Sequence, residues 1–142
     1  MIVLDASVAV KWYVKEKGSE EADKFLVGEQ RPVAPELIRA EVVAALCNQH
    51  RLYGKPKEQM ALLCERWSSD LQEMSLRLFD HAPLMEQAWN MALSYQHALY
   101  DCIYLALAEQ LGTPLVTADD AFVKKVKQRS PRAQLLPGLK DN

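Results

Sequence analysis

The chain has 142 residues, 49% of them hydrophobic and 25% charged, enough for one domain with a sizeable core and too few for two ordinary ones. That composition excludes a disordered chain, and no apolar run approaches the length of a bilayer span. Against 17 basic residues stand 19 acidic ones, a net charge of −2, so the overall balance carries no signature of a nucleic-acid binder.

In chain order, "MIVL" reads as a short buried strand and "SVAVKWYV" as a first helix. The start has no basic leader, and Asp5 interrupts its apolar stretch early, so it does not read as a secretory signal. Ser19 is placed to cap a second helix reaching about Val27, with Glu20, Glu21 and Asp23 suited to its first turn. "PVAP" is a second strand bounded by prolines. Glu36 to Leu52 reads as a long helix stopped by Gly54, and Lys57 to Met74 as another, with Met60, Leu63, Cys64, Trp67 and Leu71 on one face. "LRLF" is a third strand. Pro83 to Ser94 and Tyr100 to Leu111 are helical, the latter stopped by Gly112. "PLVT" is a fourth strand, Asp119 to Gln128 a last helix, and "AQLL" a fifth strand. This alternation predicts an α/β fold, a parallel sheet with helices on both faces and sites outside the carboxyl ends of its strands. Asp5 and Asp119 fall on that edge.

Cys47, Cys64 and Cys102 are far apart with no CxxC pair, which suggests reduced thiols in a cytoplasm, packed in the core. His50, His81 and His97 lack the spacing of a zinc site. Six basic residues (Lys124, Lys125, Lys127, Arg129, Arg132 and Lys140) follow Val123 with no acid among them, and Lys11, Lys15 and Lys17 cluster near the start. Each cluster alone reads as a solvated surface.

The acids on apolar segments need more explanation. On a helix, Glu41 has Leu37, Ile38, Ala44 and Ala45 as neighbours at i±3 and i±4, and none can pair with it. Asp101 has Ala98, Tyr104 and Leu105, with His97 as its one ionisable neighbour. Asp5 follows four apolar residues. An ionised carboxylate buried without a partner is costly, so such groups pair, bind a metal or take up a proton. If these acids converge, a divalent cation offsets both burial and mutual repulsion. Oxygen donors without His or Cys favour Mg2+ or Mn2+ over zinc. Each acid also has a structural alternative. Asp5, Asp119 or Asp120 can cap a helix, and Glu41 or Asp101 can pair with a distant Arg or Lys. Ser7 and Thr117 can simply bond the local backbone.

Four segments, "MIVLDASVAVKWY", "APELIRAEVVAAL", "YDCIYLALAEQLG" and "PLVTADDAF", together resemble the PIN domain, in particular the VapC-type toxins of toxin–antitoxin pairs. The similarity runs across nearly the whole chain, in the right order, and "YDCIYLALAE…LVTADDAF" is its most specific part. The resemblance implies a single domain over residues 1–142, a three-layer α/β/α sandwich with a central parallel sheet. It implies a cytoplasmic, metal-dependent ribonuclease, with an RNA substrate, a cognate antitoxin protein and a homodimer. The family's acids map to Asp5, Glu41, Asp101 and Asp119. Asp5 and Asp101 are then the best direct ligands, with Asp119 completing the site and Glu41 acting through bound water. Asp120 is a possible helper, and Ser7 and Thr117 match small hydroxyl positions lining the site. Similar proteins often carry a hydroxyl residue just before the third acid, whereas Ala98 and Leu99 stand here.

Two other readings stay open from sequence. A haloacid dehalogenase-like phosphatase also begins with an aspartate after a strand, but needs a second two residues on, where this chain has Ser7. A non-catalytic PIN-like module binding RNA or protein would not need all four acids. The apolar stripe of the Lys57–Met74 helix, Trp67 included, is the expected dimer face.

Overall fold

The structure is a computed structural model that describes residues 1–139; Lys140, the last of the basic residues named above, lies outside the described residues. Five strands, β1 (Ile2–Leu4), β2 (Pro32–Pro35), β3 (Arg77–Phe79), β4 (Leu115–Thr117) and β5 (Ala133–Leu135), form one sheet in the order β3-β2-β1-β4-β5. Every pairing is parallel, with Val3 opposite both Val33 and Leu115. Around the sheet lie α1 (Ala6–Ala9), α2 (Ser19–Val27), α3 (Ile38–Tyr53), α4 (Lys57–Glu73), α5 (Met85–Tyr95), α6 (Leu99–Leu111) and α7 (Asp120–Val126).

Side chains alternate across a strand, and β1 shows what that requires. Val3 joins the larger core with Leu115 and the buried run Cys102–Ala108 of α6. Ile2 and Leu4 point the other way, into a second core with Val8, Ala22, Val116 and Leu136. Both faces therefore need helical cover, and the result is the expected α/β/α sandwich.

The strand order also places the site. The chain builds outward from β1 through β2 to β3, then crosses to the other side of β1 for β4 and β5. The β1/β4 boundary is thus the topological switch point, where a crevice opens at the carboxyl ends of the strands. Asp5 follows β1 and Asp119 follows β4.

Several local expectations change. The first helix is α-helical only to Ala9 and tightens into a 3-10 turn over Val10–Trp12. Ser19 does not cap α2; Gly18 holds that position at φ 91°, and the Ser19 hydroxyl accepts the Glu16 N–H at 2.9 Å. The helix expected from Pro83 starts as a 3-10 turn, Ala82–Leu84, before α5. Gly54 and Gly112 do stop α3 and α6, at φ 71° and 64°, the left-handed values that glycine adopts without strain.

The stripe on α4 is not a free face. Trp67 is fully buried within the chain; its indole N–H donates to the Arg39 carbonyl at 3.2 Å, and its ring meets Tyr13 edge-on at 5.8 Å. Of the cysteines only Cys102 is buried, while Cys47 is exposed and Cys64 half-buried, because α3 and α4 pack against each other at the periphery. Lys11 is not a solvated lysine either. It is 8% exposed and pins the loop before α2 through Glu16 at 2.9 Å and the Lys17 carbonyl at 2.7 Å. Among the described residues, no helix is long and apolar enough to cross a membrane.

Candidate metal centre

Asp5 occupies the N-cap position of α1 but makes no side-chain cap bond. Its carboxylate turns instead toward β4. Oδ2 accepts from the Thr117 hydroxyl at 2.7 Å and the Ser7 hydroxyl at 3.0 Å. Those hydroxyls are themselves oriented, since Ser7 Oγ accepts the Ala118 N–H at 2.9 Å and Thr117 Oγ1 accepts the Asp119 N–H at 3.1 Å. Two backbone donors thus fix two hydroxyls, and both hydroxyls hold one oxygen of Asp5. Ser7 and Thr117 bond the backbone, as the structural reading expected, and also serve the carboxylate.

Glu41 and Asp101 stand in the first turns of α3 and α6. A helix N-terminus favours negative charge, which helps the fold tolerate them there. Among the described residues, neither is caught by a distant arginine or lysine. Arg39, two residues from Glu41, pairs with Glu36 at 2.6 Å. Glu41 Oε1 is buried and, among the described residues, has no hydrogen-bond partner. The Tyr104 hydroxyl lies near enough to affect its titration, yet it too makes no well-formed hydrogen bond.

The electrostatics show which acids share one neighbourhood. Burial is the main cause raising the Asp5 carboxyl from 3.8 to about 6; the Thr117 bond opposes the shift, and the Asp101 charge adds to it. Burial likewise raises Glu41 from 4.5 to about 7, with Tyr104 opposing and the Asp5 and Asp101 charges adding. Tyr104 is driven upward by burial and then by Asp5, Glu41 and Asp101. Three carboxylates therefore repel one another around a buried phenol.

Asp119 lies beside Asp101. One oxygen, Oδ1, caps α7 by accepting the Phe122 N–H at 3.0 Å. Asp119, Asp101 and His97 each offer a ligand-capable atom, all within 4.8 Å of one another. Asp120 departs from this group. It is exposed and pairs with Lys124 at 2.8 Å.

The sequence offered His97 as the one ionisable neighbour of Asp101 but gave the pair no role, and the structure makes it a close contact. His97 Nε2 lies 2.6 Å from Asp101 Oδ2. The i, i+4 spacing was a usable signal, although His97 precedes α6 and reaches Asp101 from the connecting loop. Tyr104, at i+3 from Asp101, was also visible as a neighbour but had no assigned task.

This donor set fits a hard divalent cation. Carboxylate oxygens dominate it, one buried oxygen lacks any partner, and the negative charges are close enough to raise each other's pKa.

Residues 2–128 match the family model described as PIN domain. Ribonuclease VapC3 of Pyrobaculum aerophilum is 31% identical to this chain over 126 residues, spanning 87% of this chain and 93% of that protein. Among solved structures, the fold is shared with PAE2754 from Pyrobaculum aerophilum at a TM-score of 0.71 and 21% identity, over 95% of this chain and 88% of that one. It is shared too with a toxin–antitoxin complex from Klebsiella pneumoniae, at a TM-score of 0.67 and 14% identity over 94% of this chain and 96% of that one.

Proposed function

This chain belongs to the PIN domain family, and from that premise we propose that it is a VapC-type toxin, an endoribonuclease that hydrolyses RNA with the help of Mg2+ or Mn2+. The observation that carries the reading is the mutual repulsion of Asp5, Glu41 and Asp101, with Asp119 beside Asp101 and, among the described residues, no hydrogen-bond partner for the buried Glu41 Oε1.

Asp5, Asp101 and Asp119 would hold the cation directly, and Glu41 would reach it through water. When bound, a divalent cation acidifies water and offsets the charge that builds on the phosphate. The chain's own residues do the rest. Ser7 and Thr117 hold one oxygen of Asp5 and so fix the orientation of its carboxylate. Glu41, in the same neighbourhood as Asp5 and Asp101, would orient an attacking water and take its proton. Lys124 and Lys125 on α7, the helix that Asp119 caps, and Lys127 just after it put positive charge on the segment that carries Asp119, which would favour the approach of an RNA backbone.

A cognate antitoxin protein belongs to the same proposal, as does a homodimer. Because Trp67 is consumed by the core, the apolar side chains free to build a dimer face lie elsewhere, such as Trp89 and Leu93, one helical turn apart on α5. Light scattering at micromolar concentration tests the dimer.

The activity is tested by incubating the purified chain with structured and unstructured RNAs, with chelator and after Mg2+ or Mn2+ is restored. Cleavage that needs the metal supports the proposal. Cleavage that survives thorough chelation rejects the metal mechanism, and binding without cleavage under any metal favours a non-catalytic module.

A further inference from the structure

His97 is held on three sides. Its Nε2 lies 2.6 Å from Asp101 Oδ2, and its Nδ1 lies 3.2 Å from the Lys125 ammonium nitrogen. Its ring stacks on Phe122, with centroids 4.5 Å apart and planes 21° from parallel. Lys125 also donates to the Gln96 carbonyl at 3.3 Å. Gln96, at φ 53°, is the one non-glycine residue with positive φ among the described residues, and that turn delivers His97 to Asp101.

These contacts determine where the imidazole proton sits. An ammonium has donors and no acceptor, so the ring nitrogen facing it must accept. Nδ1 is therefore bare, the proton is on Nε2, and Nε2–H donates to Asp101. A protonated ring nitrogen offers no lone pair to a metal, and the other nitrogen is occupied by a cation.

We propose that His97 is a positioning residue: fixed by Lys125 and Phe122, it ties up Oδ2 of Asp101 and leaves Oδ1 as the oxygen presented to the divalent cation. The proposal rests on the reading of Asp101 as a metal-holding residue. It reverses the common arrangement, in which a carboxylate orients a metal-bound histidine. For His97 to be a ligand itself, it would have to give up its Asp101 bond or displace Lys125.

The test uses the full chain. In histidine-15N NMR, with the resonance assigned by His97→Gln, the Nε2–H tautomer is expected in the metal-free protein and after Mg2+ is added. With Mn2+ bound, pulsed EPR should show no directly coordinated imidazole nitrogen. His97→Ala should weaken Mn2+ binding and lower kcat by about 10- to 100-fold, the range for lost outer partners of a metal site, with KM for RNA little changed. His97→Gln, which keeps an amide donor, should recover most of that loss, and Lys125→Met should show a smaller loss in the same direction. A coordinated imidazole nitrogen in the EPR spectrum, or wild-type Mn2+ affinity in His97→Ala, would overturn the proposal. Asp101→Asn separates the two levels. If it binds Mn2+ as wild type does, the site reading fails and this inference with it. If it loses binding while His97→Ala does not, the role of His97 alone is wrong.

Discussion

The Glu41 carboxylate oxygen Oε1 and the Tyr104 hydroxyl are buried in one neighbourhood, and neither makes a well-formed hydrogen bond among the described residues. In a structural ion pair, removing the acid would strand a cation and cost about 3–5 kcal/mol. Here no cation among the described residues pairs with Glu41, and its burial and the Asp5 and Asp101 charges act against ionisation. Glu41→Gln keeps the shape and removes a repelled charge. The metal-free variant should therefore melt at or above the wild-type temperature at neutral pH, while RNA cleavage collapses. Mg2+ should raise the melting temperature of wild type more than that of the variant, since a ligand stabilises through its affinity for the native state. Thermal melts with chelator and with Mg2+ measure both effects.

Asp119 and Asp120 are adjacent but not equivalent. Asp119 shares the site with Asp101, while Asp120 faces solvent and pairs with Lys124. Asp119→Asn should lower metal-dependent cleavage by at least about tenfold, the lower bound for disturbing even an outer partner of a metal site. Asp120→Asn should stay close to wild type, since an exposed ion pair contributes only about 0–1 kcal/mol. Initial rates on one RNA substrate decide it, and equal losses would show that the wrong aspartate has been assigned.

The raised carboxyls make the stability of the metal-free protein depend on pH. Folding lifts Asp5 from 3.8 to about 6 and Glu41 from 4.5 to about 7, so the native state binds protons more tightly than the unfolded chain. Their contribution is fully present below the unfolded values, and it is lost as pH rises through the folded ones. Denaturant unfolding in chelator should show stability from these groups falling between about pH 4 and pH 7 and flat above. The slope should shrink in Asp5→Asn/Glu41→Gln.

Trp67 belongs to the fold rather than to an interface. Trp67→Ala removes a fully buried indole and its bond to the Arg39 carbonyl. It should destabilise the chain by about 3–5 kcal/mol, as large-to-small aromatic substitutions in cores do. Trp67→Phe keeps the packing and loses the hydrogen bond, for a smaller cost of about 1 kcal/mol. Equilibrium unfolding of both variants, at several protein concentrations, separates core from interface.

Much of the fold was legible because it rests on local patterns. Short apolar runs gave the five strands, and glycines marked the ends of α3 and α6. The isolation of Glu41 could be read because helical spacing lists its neighbours, and none is cationic. The same spacing named His97 beside Asp101, but not how closely the two would meet. His97 sits outside the helix, at a turn set by Gln96, and helical geometry does not describe that approach. The α4 stripe was visible, but amphipathicity records that a face is covered and not by what; α3 and Tyr13 cover Trp67 within the same chain. Lys11 looked solvated because its partner, Glu16, is fixed by a loop rather than a helix. The role of Tyr104 depends on three acids from distant segments, and no single stretch of sequence contains that information.

The most direct measurement counts protons. If Asp5 and Glu41 carry raised pKa values because they share a site built for a cation, then metal must displace protons from them. Calorimetric titration of Mn2+ at about pH 6.5, in two buffers of different ionisation enthalpy, should show proton release on binding, diminishing toward about pH 8.5 where both carboxyls are already ionised. Binding with no proton release at the lower pH, or release that persists unchanged in Asp5→Asn/Glu41→Gln, would place the metal elsewhere and contradict the assignment of these acids as its site.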